Sequence, residues 1–159
     1  MHLAMALALA GSLLPVSGDL TSYDPRVPDG ARASVLSTPV AGGTYVLLRT
    51  TGLLPHRDYG AHAHVNACGP SPADAGPHYQ HVPGGATDPA FANPYNEIWL
   101  DFTTDARGRG WAYAHLDWRF GERRPGSVVL HEEHTHTEPG QAGSAGVPDR
   151  AVLNACRVG

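Results

Sequence analysis

The chain has 159 residues, enough to bury one core of its own and too few for a second large domain. Its formal net charge is −4, and its 11 basic residues, all arginine, form no basic stripe, which excludes the electrostatic footprint of a nucleic-acid binder. With 19 glycines, 14 prolines and no long apolar stretch at helical spacing, a helical bundle is excluded and short strands joined by turns are expected.

Residues 1–18, MHLAMALALAGSLLPVSG, are apolar, too short to span a bilayer and followed by small residues. That pattern predicts a secretory signal peptide, although no Lys or Arg stands near Met1; the other reading is an apolar strand or helix of the domain. No membrane span is expected. Residues 19–33, rich in Asp, Pro and Gly, read as a flexible lead-in, and the domain proper is placed at 34–159. Gly43 to Thr50 has strand composition, and Tyr59 to Val65 gives another strand after the turn at Leu54 to Asp58. Asn66 to Pro94 is a long loop without periodicity, of the kind that is usually functional. Glu97 to Thr103 and Trp111 to Leu116 read as the two arms of a hairpin around Asp105 to Gly110. Ser127 to His131 is a short apolar strand, 132–148 is a second irregular loop, and Ala151 to Val158 closes the chain. The expected fold is all-β, a Greek-key antiparallel β-sandwich or barrel with two long functional loops.

Chemistry concentrates in the histidines. His62 and His64 stand two apart on a predicted strand, so both side chains face the same way and can reach one metal ion. Gly76-Pro77-His78 follows in the long loop, and His131 ends a strand beside Glu132. Imidazole suits copper and zinc, and copper heads the divalent affinity series, so a copper site is expected. Cys68 and Cys156 suit one disulfide in an exported protein; two free thiols are the other reading. His81, His134 and His136 read as exposed loop histidines, with added metal capture as the alternative, and His56 and His115 as ordinary surface or packed residues. A zinc-protease motif fails, because HExxH would need histidine where Thr135 stands. Trp99, Trp111 and Trp118 are expected in the core or on a sheet face, and Arg119, Arg123 and Arg124 with Glu122 in a solvated turn, with steering of anions as the alternative.

In chain order, Gly60-Ala61-His62-Ala63-His64, Cys68, Gly76-Pro77-His78, Asp101-Phe102-Thr103-Thr104-Asp105-Ala106-Arg107-Gly108, Val129-Leu130-His131-Glu132 and Ala155-Cys156 resemble motifs of the copper/zinc superoxide dismutase family. The resemblance covers roughly residues 43–159. It implies a secreted, copper-dependent superoxide dismutase, with superoxide as its small-molecule substrate. His62, His64 and His131 would be copper ligands, His78 the bridging ligand and proton carrier, and Cys68–Cys156 the structural disulfide. The chain departs from the family pattern at two places. In the stretch Tyr79 to Ile98, where the family places its remaining zinc ligands, the only histidine is His81, none stands near Asn96, and the family's aspartate position falls near Glu97 or Ile98; a structural zinc site needs four donors, so the chain reads as a copper-only variant. Leu153 stands at the family's catalytic-arginine position, leaving Arg150 as the candidate to steer the anionic substrate. Without zinc, His78 needs another partner to fix its tautomer, and Asp74 or Asp88 is the expected carboxylate. A dismutase-like protein that binds or delivers copper without turnover is the competing reading.

Overall fold

The computed structural model describes residues 16–145 and 153–155. Its regular elements are eight strands and one 3-10 turn, Pro72–Ala75. The strands are β1 Val16–Ser22, β2 Arg32–Val40, β3 Gly43–Thr51, β4 Asp58–His64, β5 Phe102–Thr103, β6 Gly110–Leu116, β7 Ser127–His131 and β8 Leu153–Ala155. They run in the order β5-β4-β7-β8-β1-β2-β3-β6, with every strand pairing antiparallel. Strands β5 and β6 stand at the two ends of that order, so the expected sandwich is present and a closed barrel is not.

Alternation explains why one core forms. On β3, Thr44, Val46, Leu48 and Thr50 are buried while Tyr45 and Arg49 are exposed, the period-2 pattern of a half-buried strand. From the other side, Ala61 and Ala63 of β4 and Val128 and Leu130 of β7 point into the same core, with Ile98, Leu100, Phe102 and Leu116 between the layers. Burying a large aliphatic side chain contributes about 1.5–3 kcal/mol, so this shared interior supplies most of the driving force for the fold. Trp118 is buried there, whereas Trp111 is 65% exposed on the outer face of β6.

The boundaries expected at the N-terminal end change. The segment 19–33, expected as a flexible lead-in, carries the end of β1, a turn and the start of β2. Asp24 organises that turn by accepting from Arg26 N at 2.7 Å and from the Arg26 guanidinium. Most of β2 is half-exposed, with serine, threonine and proline in place of an apolar alternation; its nine-residue register with β3 makes it a strand. Val16 to Asp19 also pair with Val35 to Arg32, so Val16 to Gly18 of the proposed signal segment belong to β1, and the rest of that segment lies outside the described residues.

The hairpin expected around Asp105 to Gly110 keeps its turn, with Gly108 N donating to Asp105 O at 3.0 Å, but its arms do not pair. Strand β5 joins β4 and β6 joins β3, so this connection passes from one layer to the other. The aromatic ring of Phe102 occupies the space where a Cβ on Gly110 would lie. Glycine at 110 thus lets the buried Phe102 ring pack directly against the start of β6.

Candidate metal centre

The site grows from the alternation of β4. Tyr59, Ala61 and Ala63 enter the core, which puts Gly60, His62 and His64 on the opposite face. Loops cover that face, so every residue of β4 after Asp58 is buried. The register with β7 sets Gly60 opposite His131 and His62 opposite Val129, which makes His131 a diagonal neighbour of His62. Gly60 is needed here: a Cβ would lie 2.4 Å from the Glu133 carbonyl oxygen and 2.5 Å from the Ala145 Cβ, where the loop after β7 crosses the strand.

The long loop delivers the fourth histidine by extending the edge of β4. Val65 N donates to Pro77 O at 3.1 Å and Tyr79 N to Ala63 O at 2.8 Å, leaving His78 bridged to His64. One ring nitrogen from each of His62, His64, His78 and His131 then falls within 4.8 Å of the others. All four sequence-predicted ligands are brought together. His81 stacks on Trp118 at 4.5 Å, and neither it nor His134 or His136 belongs to the cluster.

Hydrogen bonds set the direction of the rings. His64 Nδ1 donates to the Gly76 carbonyl at 2.7 Å, an acceptor only, so Nε2 keeps its lone pair. His78 Nδ1 lies 2.8 Å from Glu97 Oε2, and His62 Nε2 lies 2.6 Å from the Thr135 hydroxyl. What remains is unusual for a protein interior: His62 Nδ1, His64 Nε2 and His131 Nε2 are buried and have no hydrogen-bond partner. Burial, reinforced by the neighbouring histidines, lowers the His62 pKa well below its ordinary value, that of His64 to about 4 and that of His131 to about 3. His62, His64 and His131 are therefore neutral at pH 7, the state a metal ligand requires, each with a buried nitrogen that has no protein partner. The residues present fit a metal ion held by four imidazole nitrogens.

The partner of His78 corrects the expectation of Asp74 or Asp88. Asp74 is taken up by the cap of the 3-10 turn, accepting from Ser71 N at 2.9 Å, and Asp88 accepts from Ala90 N at 2.9 Å. The carboxylate at His78 is Glu97, which is 1% exposed and also accepts from Gln80 Nε2 at 2.9 Å and Trp99 Nε1 at 2.7 Å. Burial pushes the Glu97 carboxyl up, but the hydrogen bonds from His78, Trp99 and Gln80 and the charge of His78 outweigh it and hold it below the ordinary carboxylate range. An ionised Glu97 accepts only, so His78 Nδ1 carries the proton and Nε2 faces the cluster. The isolated bridge between Gln80 and Glu97 brings this carboxylate in, and no local sequence pattern marks it.

A cavity of about 430 Å³ opens beside His78 and Glu97, walled by Pro83, Thr87, Arg123 and Gly143 among others. Arg123 donates to Gln80 O at 2.7 Å. On the far side of the cluster, Glu132 follows His131 and accepts from Arg26 at 3.0 Å and Arg57 at 2.9 Å, tying the turn after β1 to the end of β7. Arg150 and Cys156, the expected steering residue and second disulfide cysteine, lie outside the described residues.

Fold and site together define a β-sandwich whose buried histidine cluster could hold a metal ion. Among solved structures, the chain is similar to a Cu/Zn superoxide dismutase from Brucella abortus, with TM-score 0.55 and 17% identity over 89% of this chain and 100% of that one. At that identity the likeness is one of fold. No protein-family model and no curated protein matches the sequence. No described helix is long and apolar enough to cross a membrane.

Proposed function

We propose that the chain is a copper-dependent superoxide dismutase, with His62, His64, His78 and His131 as the copper ligands. The observation that carries this reading is the set of inward-facing imidazole nitrogens, three of them buried without a partner. An unpaired buried polar atom is costly, and a metal ion satisfies all of these at once. Imidazole donors suit copper, and copper, unlike zinc, changes oxidation state. A bound copper would supply one-electron cycling, in which one superoxide is oxidised to oxygen and a second, with two protons, is reduced to hydrogen peroxide.

The chain's own residues account for positioning and proton handling. Gly76 O and Glu97 hold His64 and His78 with their free nitrogens directed inward. His78 is the proton-holding imidazole: with Nδ1–H fixed on Glu97, a proton at Nε2 gives an imidazolium beside a carboxylate. The copper-only reading is supported by the same contact, since Glu97 faces the His78 nitrogen that would otherwise reach a second metal and is itself saturated by Gln80 and Trp99. Arg150 is assigned the steering of the anion toward the site.

The test is superoxide decay catalysed by purified, copper-loaded protein with a chelator present to silence free copper. Catalysis surviving chelation is the expected result. Tightly held copper without catalysis would overturn the enzyme reading and leave a copper carrier on the same fold.

Export from the cytoplasm and a Cys68–Cys156 disulfide belong to the same reading. Their support is the apolar segment 1–18 and the cysteine pair. The disulfide closes a long loop and is expected to stabilise the fold by roughly 4–5 kcal/mol in the chain-entropy treatment. Unfolding midpoints with and without reductant, alongside alkylation of the denatured chain, check this; two alkylated thiols in the unreduced protein would refute the bridge.

A further inference from the structure

We propose that Asp101, acting through Thr135, is the positioning residue that fixes the tautomer of His62 and directs its Nδ1 into the cluster. The inference rests on the reading of the four histidines as a metal site and adds a component outside them. Asp101 stands just before β5, and Thr135 lies in the loop after β7. Neither contributes a ring nitrogen to the cluster.

Asp101 accepts Ala61 N at 3.1 Å through Oδ1 and Thr135 N at 2.7 Å through Oδ2, so both carboxylate oxygens face donors. Thr135 Oγ1 lies 2.8 Å from Asp101 Oδ1 and 2.6 Å from His62 Nε2. The hydroxyl has a single proton. Donated to His62, it would leave two bare oxygens 2.8 Å apart. Donated to Asp101, it gives Asp101 Oδ1, Thr135 Oγ1 and His62 Nε2 each a partner: Oγ1 then offers a lone pair to His62, whose proton must sit on Nε2. The lone pair of His62 is thereby confined to Nδ1, the buried nitrogen that has no partner in the protein.

Asp101 is itself 4.0 Å from His62 Nε2, so its effect on the ring runs through the threonine. The same carboxylate holds the backbone next to His62 and the loop that follows His131. It thus couples the strands that carry three of the four histidines. A threonine placed between ring and carboxylate passes on orientation while keeping the carboxylate out of direct contact with the imidazole. Such outer partners of metal-binding histidines typically change metal affinity by about 10–100-fold when removed.

The experiment uses the full chain labelled with 15N at histidine, first without metal at neutral pH. In the wild-type protein, His62 is expected to show a protonated Nε2 and an unprotonated Nδ1. Thr135→Val removes the acceptor at nearly constant shape: the His62 ring should lose its single tautomer, and copper affinity should fall about 10–100-fold. Thr135→Ser keeps the hydroxyl and should restore both readouts. Asp101→Asn brings an amide NH2 against at least one of three existing donors and should disturb the tautomer as well. A protonated Nδ1 in wild-type His62 would overturn the proposal without any variant having to fold. So would a Thr135→Val protein with tautomer and affinity both unchanged. A purely structural role would lower stability without moving the tautomer. Failure of the metal reading shows separately, as unchanged copper affinity in His62→Ala and His131→Ala.

Discussion

A His131→Ala chain is expected to lose tight copper binding while keeping its fold. His131 occupies the last position of β7 and meets β4 at Gly60, so the strand pairing does not depend on its side chain. Its Nε2 is one of the buried nitrogens left without a partner, so no protein hydrogen bond is broken there. The loss removes a direct ligand and should exceed the roughly 10–100-fold cost typical of an outer-shell partner. Competition against a chelator of known copper affinity, with circular dichroism as the control for folding, measures it. An affinity equal to that of the wild-type chain would mean that copper, if bound, is held elsewhere.

The second large effect is on pH dependence. Burial lowers the pKa of His64 to about 4 and that of His131 to about 3, while both titrate near 6.5 when the chain is unfolded. Between those limits the unfolded chain binds more protons than the folded one, so stability rises with pH across the interval. The metal-free protein should therefore be most stable above about pH 6.5 and weaken steadily as pH falls toward 4. One pKa unit corresponds to about 1.4 kcal/mol, so His64 alone should account for a loss of about 3 kcal/mol. Urea midpoints of the metal-free protein across this range measure the effect; a flat profile between pH 7 and 4 would refute it. Protons also compete poorly for such nitrogens, so copper should stay bound well below pH 6, where an exposed histidine site would release it.

The sequence made the histidine cluster legible and much of its support illegible, for physical reasons. His62 and His64 declare a common face through their spacing on a strand, and His131 ends an apolar run that pairs with it. His78 needed the Gly-Pro-His resemblance, because no periodicity exists in the loop that carries it. Glu97 and Asp101 were each reached by a chain reversal that no local pattern records, so their contacts with His78 and Thr135 could not be read in advance. Asp74 and Asp88 were plausible only because they were close in sequence to His78. The overall sandwich followed from the run of short strands and turns. Strand β2 was missed because its half-exposed serines and threonines hide the alternation, and the β5–β6 hairpin was over-read because a good turn does not oblige its arms to pair.

The most direct test of the central claim is a Cu(II) titration of the purified chain followed by electron paramagnetic resonance. The expected result is a single copper per chain, with hyperfine structure from imidazole nitrogens that changes in His131→Ala. Weak, multiple or oxygen-coordinated copper, with the same spectrum in wild type and variant, would contradict the assignment of these four histidines as a copper centre.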